Sequence, residues 1–196
     1  MTPDRERFLS RLKAFGEAND RTAATRAEKM LNITEDTGWF LWMLLRAQRP
    51  QRLLEVGTSN GYSTIWWADA LTDRHQRLVT LENNPAKVTQ ARANFLESGV
   101  VDQVELVECD AGAFIRDSSP HSFDWVFLDS ERSLYVPWWP DLLRLLTPPG
   151  LIVVDNAVDK ALELEDFRHV VAATPGVRQV LVPIGNGELF IHAGGG

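Results

Sequence analysis

Leu54-Glu55-Val56-Gly57-Thr58-Ser59-Asn60-Gly61-Tyr62-Ser63 is the stretch on which the fold turns. The short apolar run from Arg52 to Val56 reads as a strand, and Ser63 to Leu71 reads as the helix that follows it. Between them Gly57 and Gly61 let the backbone turn tightly and come close to a ligand before the helix begins. A glycine loop after one strand is weak evidence by itself. Its weight comes from what lies on either side.

Downstream the same alternation repeats, with strands at Leu78 to Leu81, Val104 to Val107, Trp125 to Leu128 and Leu151 to Val154. Helices fall between and after them at Pro85 to Ser98, Ala111 to Arg116, Trp138 to Leu146 and Leu162 to Ala173, and Pro148-Pro149-Gly150 is expected to stop the third of these. Such alternation is the mark of β-α units around a parallel sheet. The ending differs: Val177 to Val182 and Leu189 to His192 are joined by Pro183-Ile184-Gly185-Asn186-Gly187, which predicts an antiparallel hairpin. Upstream of residue 50 the pattern is helical only, with Phe8, Leu9, Leu12 and Phe15 at helical spacing and Thr34-Glu35-Asp36 opening a second apolar run. We therefore expect a single domain over 1–196, with helices in 1–50 and an α/β core in 51–193. The terminal Gly194-Gly195-Gly196 reads as a frayed end.

Ligands of open parallel sheets bind beyond the carboxyl ends of the strands, so the residues there are the candidates for chemistry. Each expected parallel strand has an acid at or just past its end: Glu55, Glu82, Glu108 with Asp110, Asp129, and Asp155 with Asn156. Glu82 stands 27 residues after Glu55, one β-α-β unit on, where a carboxylate can accept the hydroxyl protons of a ribose. An acid-rich rim repels a diphosphate and suits the sulfonium and ammonium of S-adenosylmethionine. The dinucleotide pattern G-x-G-x-x-G would also need glycine at Ser59 and near Tyr62, and neither is glycine.

Composition sets the outer bounds. The chain has 196 residues, 44% of them hydrophobic, enough for a well-buried core, and its net charge of −7 argues against a nucleic-acid partner. The single cysteine, Cys109, forms no internal disulfide and reads as a small buried hydrophobe. The opening MTPDRERF lacks an apolar run for a signal peptide or membrane anchor, so a cytoplasmic protein without a membrane partner is expected. None of the histidines has metal-ligand spacing to another, which speaks against zinc. The pairs Trp66-Trp67 and Trp138-Trp139 cannot both bury in one direction on a helix. Trp39, Trp42, Trp138 and Trp139 are therefore read mainly as core or dimer contacts, with an aromatic acceptor pocket as the alternative.

The quoted stretch resembles the first motif of the caffeoyl-CoA and catechol O-methyltransferases, LEIG-x-x-x-GYS. The resemblance extends to Asn32-Ile33-Thr34-Glu35-Asp36-Thr37-Gly38, to Phe127-Leu128-Asp129, to Val154-Asp155-Asn156 and to the P-x-G-x-G turn at residues 183–187. It implies a three-layer α/β/α Rossmann-like fold with a mostly parallel seven-stranded sheet. It further implies S-adenosylmethionine held by Glu55, Gly57, Thr58, Ser59, Gly61, Tyr62, Ser63, Glu82, Asp110 and Ala111. Asp129, Asp155 and Asn156 would hold magnesium or another divalent cation, and the acceptor would be a small catechol-like or hydroxylated molecule. A homodimer is the implied assembly.

One departure bears on mechanism. Family members usually carry a lysine base three residues after the first metal aspartate, where this chain has Arg132. Arginine keeps its proton, so Arg132 would stabilise a phenolate or hold a substrate carboxylate. Glu131, Tyr135 or metal-bound hydroxide would have to take the proton, or the substrate would ionise on the metal unaided. The departure leaves open a metal-independent methyltransferase that uses Arg132 to bind an anionic acceptor, or a non-catalytic protein that binds the adenosyl ligand.

Overall fold

The computed structural model describes residues 1–194, so the expected fraying of Gly195 and Gly196 lies outside the described residues. Helices α1 (Pro3–Thr22) and α2 (Glu35–Gln48) precede the sheet. The Thr2 and Thr34 hydroxyls cap their first turns by accepting from Arg5 N and Thr37 N. Then follow β1 (Arg52–Val56), α3 (Tyr62–Ala70), β2 (Arg77–Glu82), α4 (Pro85–Ser98), β3 (Val104–Glu108), α5 (Ala111–Asp117) and β4 (Phe123–Leu128). The chain ends with α6 (Tyr135–Leu145), β5 (Leu146–Val154), α7 (Glu165–Ala173), β6 (Val177–Val182) and β7 (Glu188–Ala193).

The sheet has seven strands in the order β3-β2-β1-β4-β5-β7-β6. Strands β1 to β5 pair in parallel, and β7 runs antiparallel between β5 and β6. Alternate strand residues feed two cores. Leu53, Phe127, Val153 and Phe190 pack with α1 to α4 on one face, while Leu54, Val126, Ile152 and Ile191 pack with α5 to α7 on the other. This is the expected three-layer α/β/α architecture with its terminal hairpin. The order reverses direction at β1/β4, which puts the switch point of the sheet between those two strands.

Three local expectations are corrected. Helix α6 starts at Tyr135, ahead of Trp138, and ends at Leu145, so Pro148-Pro149-Gly150 does not stop it. Those residues lie inside β5, which begins at Leu146 and shifts register against β4 between Phe123 and Trp125. Helix α7 begins at Glu165, after a run of turns, and not at Leu162. Trp66 and Trp67 both bury, each 2% exposed, because α3 is covered on both sides. Trp66 meets Trp39 edge-on at 4.9 Å, and Trp67 meets the sheet through Phe127 at 5.1 Å. No helix among the described residues is long and apolar enough to cross a membrane.

The switch point is closed by a glycine. Gly57 has φ +105°, and a Cβ there would stand 2.1 Å from the Asp129 carbonyl oxygen. Backbone strain and this contact both oppose any side chain. Gly57→Ala is expected to cost at least about 2 kcal/mol in urea unfolding; an unchanged midpoint would contradict the close approach.

Candidate active site

A cleft of about 640 Å³ opens over the carboxyl ends of β1, β2, β3 and β4, within the range that holds a cofactor with a small second molecule. Its floor is the loop after β1. Gly57 N and Thr58 N both donate to Leu81 O, which ties that loop to β2. Ser59 takes a left-handed backbone, φ +50°, costly for a residue with a side chain. It is held there by Ser59 N donating to Glu82 Oε2 at 2.8 Å and Ser59 Oγ donating to Met30 O at 2.8 Å. Glu82 Oε1 also accepts from Asn83 N and Asn84 N, so the carboxylate is fixed in place and still has lone pairs to offer.

The expected acids fall into separate groups. Glu82, Asp110 and Asp129 line the cleft, as do Gly57, Thr58, Ser59, Tyr62, Ser63 and Ala111. Glu55, Gly61 and Asp155 are not among its walls, and Glu108 stays outside it. Glu55 is fully buried on the α3 side of the sheet, where it accepts from Ser63 Oγ (2.6 Å), Thr64 Oγ1 (2.5 Å), Trp67 Nε1 (3.0 Å) and Thr80 Oγ1 (2.6 Å). Burial still raises its pKa. This carboxylate pins the start of α3 under the cleft and touches no ligand space. Asp110 has a structural duty as well, since it caps α5 by accepting from Ala113 N at 2.7 Å.

At the other end of the cleft Asp129 and Asn156 meet, with Asp155 buried behind them. The Asn156 amide nitrogen lies 3.4 Å from Asp129 Oδ1 and 2.5 Å from Asp155 Oδ2. Asn156 sits at φ +63°, held by Asn186 Nδ2 donating to its Oδ1 at 3.3 Å. The Pro183–Gly187 turn supplies that support: Gly187 O accepts from Ala157 N, and Asn186 O accepts from Val158 N. Burial, then the charge of Asp155, raises the Asp129 pKa well above the usual carboxylate range, and burial raises that of Asp155. Two carboxylates held unfavourably around one amide are a donor set that a divalent cation would relieve. The Asn156 amide oxygen, exchanged with its nitrogen, would face the same point. Among the described residues no group of three His, Cys, Asp or Glu side chains is arranged to hold a metal; the candidate set needs the Asn156 amide.

Arg132 is 5% exposed and reaches Asp129 Oδ1 at 3.7 Å and Glu163 Oε2 at 3.7 Å. Tyr135 is excluded as a base. Its hydroxyl is fully buried, accepts from Ser130 N at 2.8 Å, and has its pKa raised by burial and by the charge of Asp129. Glu131 lies on the exposed rim of the cleft. Cys109 lines the cleft as a half-buried thiol, its pKa raised by burial and by Asp110.

Several cleft residues were not singled out beforehand. Arg26, Met30 and Leu31 come from the connection between α1 and α2, and Lys160 from the turns after β5. Trp138 also lines the cleft, with its indole nitrogen 2.6 Å from where a Cβ on Gly112 would be. Trp139, by contrast, buries against Phe167. Glu188 is a further residue that the sequence reading passed over. It is fully buried, and Thr37 Oγ1 donates to its Oε1 at 3.0 Å. Its Oε2 lacks a donor, and the charge that would sit there faces Asp155. Burial and then Asp155 push its pKa up to about 11, so Glu188 is an acid that donates to Asp155. An acidic residue opening an apolar strand beside a strand-end aspartate was the available hint.

Residues 10–192 match the model of the O-methyltransferase family, and the chain belongs to that family. It is 32% identical over 139 residues to a protein of Niastella koreensis named catechol O-methyltransferase, a match covering 69% of this chain and 62% of that one. A second, of Mycobacterium tuberculosis and of the same name, is 36% identical over 64% of this chain and 57% of its own length. The chain thus spans about three fifths of the curated relatives it matches. Among solved structures, cofactor-bound Rv0187 from MTB superposes with a TM-score of 0.81 at 27% identity, covering 95% of this chain and 89% of that one.

The Glu188 carboxyl makes a pH prediction. Unfolded, it ionises near the ordinary 4.5; folded, it keeps its proton up to about 11. Between these values the native state binds the extra proton, so stability is full below the lower value and declines as pH rises. Glu188→Gln retains a donor towards Asp155 and an acceptor for Thr37 while removing this loss. In the presence of a chelator the variant should gain stability over the native chain, by an amount that widens from about pH 5 to about pH 8 in denaturant titrations. A difference that stays constant with pH would contradict the protonated state.

Proposed function

We propose that the chain transfers the methyl group of S-adenosylmethionine to an oxygen of a small catechol-like acceptor, assisted by a divalent cation at Asp129, Asp155 and Asn156. One observation carries the reading: a single cleft has the Glu82 carboxylate at one end, Asp129 and Asn156 at the other, and the Gly57–Ser59 loop between them. Glu82 would accept from the ribose hydroxyls, and the Asp110-Ala111 segment would lie along the adenine. Glu55 belongs to the site as a positioning residue only. The names of the catechol O-methyltransferase relatives favour the same acceptor class.

A cation at the acid pair would acidify a chelating hydroxyl and stabilise the oxyanion that attacks. The chain's own residues supply alignment and electrostatics. In the transfer the acceptor oxygen forms a bond to the methyl carbon as the carbon–sulfur bond breaks, its electron pair returning to sulfur to leave a neutral thioether. The hydroxyl proton passes to water or to Glu131 at the rim, because Arg132 keeps its own proton and Tyr135 holds its proton too tightly. A second reading is favoured by Arg132 alone: its guanidinium beside Asp129 already supplies positive charge where the cation would sit, so a metal-independent transfer is its consequence.

The test is methylation of catechol with radiolabelled donor, with magnesium and with chelator, for the native chain and Asp129→Ala. Chelation and Asp129→Ala should each lower transfer by about a hundredfold or more while S-adenosylhomocysteine binding persists. Transfer that survives the chelator would replace the first reading with the second.

A further inference from the structure

The inference concerns the acceptor and rests on the reading just given. Arg132 is 5% exposed, yet its charge is poorly matched by what surrounds it. Both of its ion pairs are long, 3.7 Å to Asp129 and 3.7 Å to Glu163, and its Nε has no hydrogen-bond partner. Glu163 is also shared, since it accepts Lys160 Nζ at 3.2 Å. Once Asp129 serves a cation, one half-exposed carboxylate is left to face both Arg132 and Lys160. A buried guanidinium in that state carries a charge without a full partner, and such charges are costly unless compensated.

Arg132 and Lys160 both line the cleft, and Arg26 lines it too, close enough for its charge to act on Asp129. The acids that suit the adenosyl donor, Glu82 and Asp110, lie at or just past the ends of β2 and β3 with Lys87 in the same wall, whereas Arg132 and Lys160 follow β4 and β5 beside Asp129 and Glu131. We propose that the natural acceptor is an anionic catechol, a dihydroxylated aromatic ring that carries a carboxylate, and that Arg132 with Lys160 binds this carboxylate while the hydroxyls face Asp129. The planar fork of Arg132 suits a carboxylate held in two contacts, and Lys160 adds a point charge at the mouth. The substitution of arginine for the family's lysine thereby becomes a specificity determinant.

Calorimetric titration of the chain saturated with S-adenosylhomocysteine and magnesium tests this, with 2,3- and 3,4-dihydroxybenzoate, the methyl ester of each, and catechol as probes. At least one acid should bind about tenfold or more tightly than its own ester. In Arg132→Met the ratio of acid to ester affinity should fall to about one while S-adenosylhomocysteine still binds; Lys160→Met should reduce the ratio in part, and serves alone if Arg132→Met does not fold. Equal binding of acid and ester for both isomers, with catechol bound, would overturn the carboxylate inference and leave the catechol reading standing, as would a preference that persists in Arg132→Met. Failure of every probe to bind while S-adenosylhomocysteine does would overturn both. A preference for acid that survives chelation would support the carboxylate contact and overturn the role given to the cation.

Discussion

The site depends on how closely the ends of β1 and β4 approach each other. At Gly57 the backbone passes so near the Asp129 carbonyl that a methyl group would stand 2.1 Å from its oxygen. Asp129 N donates in turn to Val56 O at 3.0 Å. Because these strands flank the switch point of the sheet, this contact brings the loop that would hold the donor against the carboxylate that would hold the acceptor. Transfer between two bound molecules needs their reacting atoms fixed within about 3–3.5 Å. The packing of one glycine against one carbonyl sets the distance between the two halves of the cleft.

Around that contact the molecule places buried polar groups that cost stability and hold geometry. Glu55 accepts four hydrogen bonds beneath the floor and so fixes the start of α3. Glu188 reaches from β7 to Asp155, and Thr37 links it to the first turn of α2. The turn before β7 packs in the same direction: a Cβ on Gly185 would stand 2.3 Å from the hydroxyls of Thr34 and Thr37. Helix α2 is thus coupled to the acid pair through a strand at the far end of the chain. An apolar core would be more stable, but it could not hold Asn156 in a left-handed conformation beside two carboxylates.

Much of this was legible beforehand for stated physical reasons. Short apolar runs located β1 and β6 to the residue, and the amphipathic stretch from Pro85 to Ser98 located α4, since these patterns act through local backbone geometry. Pro148-Pro149-Gly150 misled because a register shift between neighbouring strands accommodates it within β5, and pairing across strands is not visible in local pattern. The acids at strand ends were found by topology, but which of them face the cleft was not. Glu55 and Asp155 turn inward because each has buried partners from distant segments, Thr80 and Glu188 among them. For the same reason Lys160 was not identified as a wall of the cleft, and Trp138 stood there only as the alternative to a core contact.

Arg132 is where the family pattern and this chain part, and it bears on how charge is arranged across the whole cleft. The measurement that tests the account most directly is anomalous diffraction from crystals grown with S-adenosylhomocysteine and manganese. The account predicts the ribose on Glu82 and a manganese peak bonded by Asp129, Asp155 and Asn156, with the guanidinium of Arg132 beside it. The nucleoside in the cleft with no peak at the acid pair, or a cleft without the nucleoside, would contradict it.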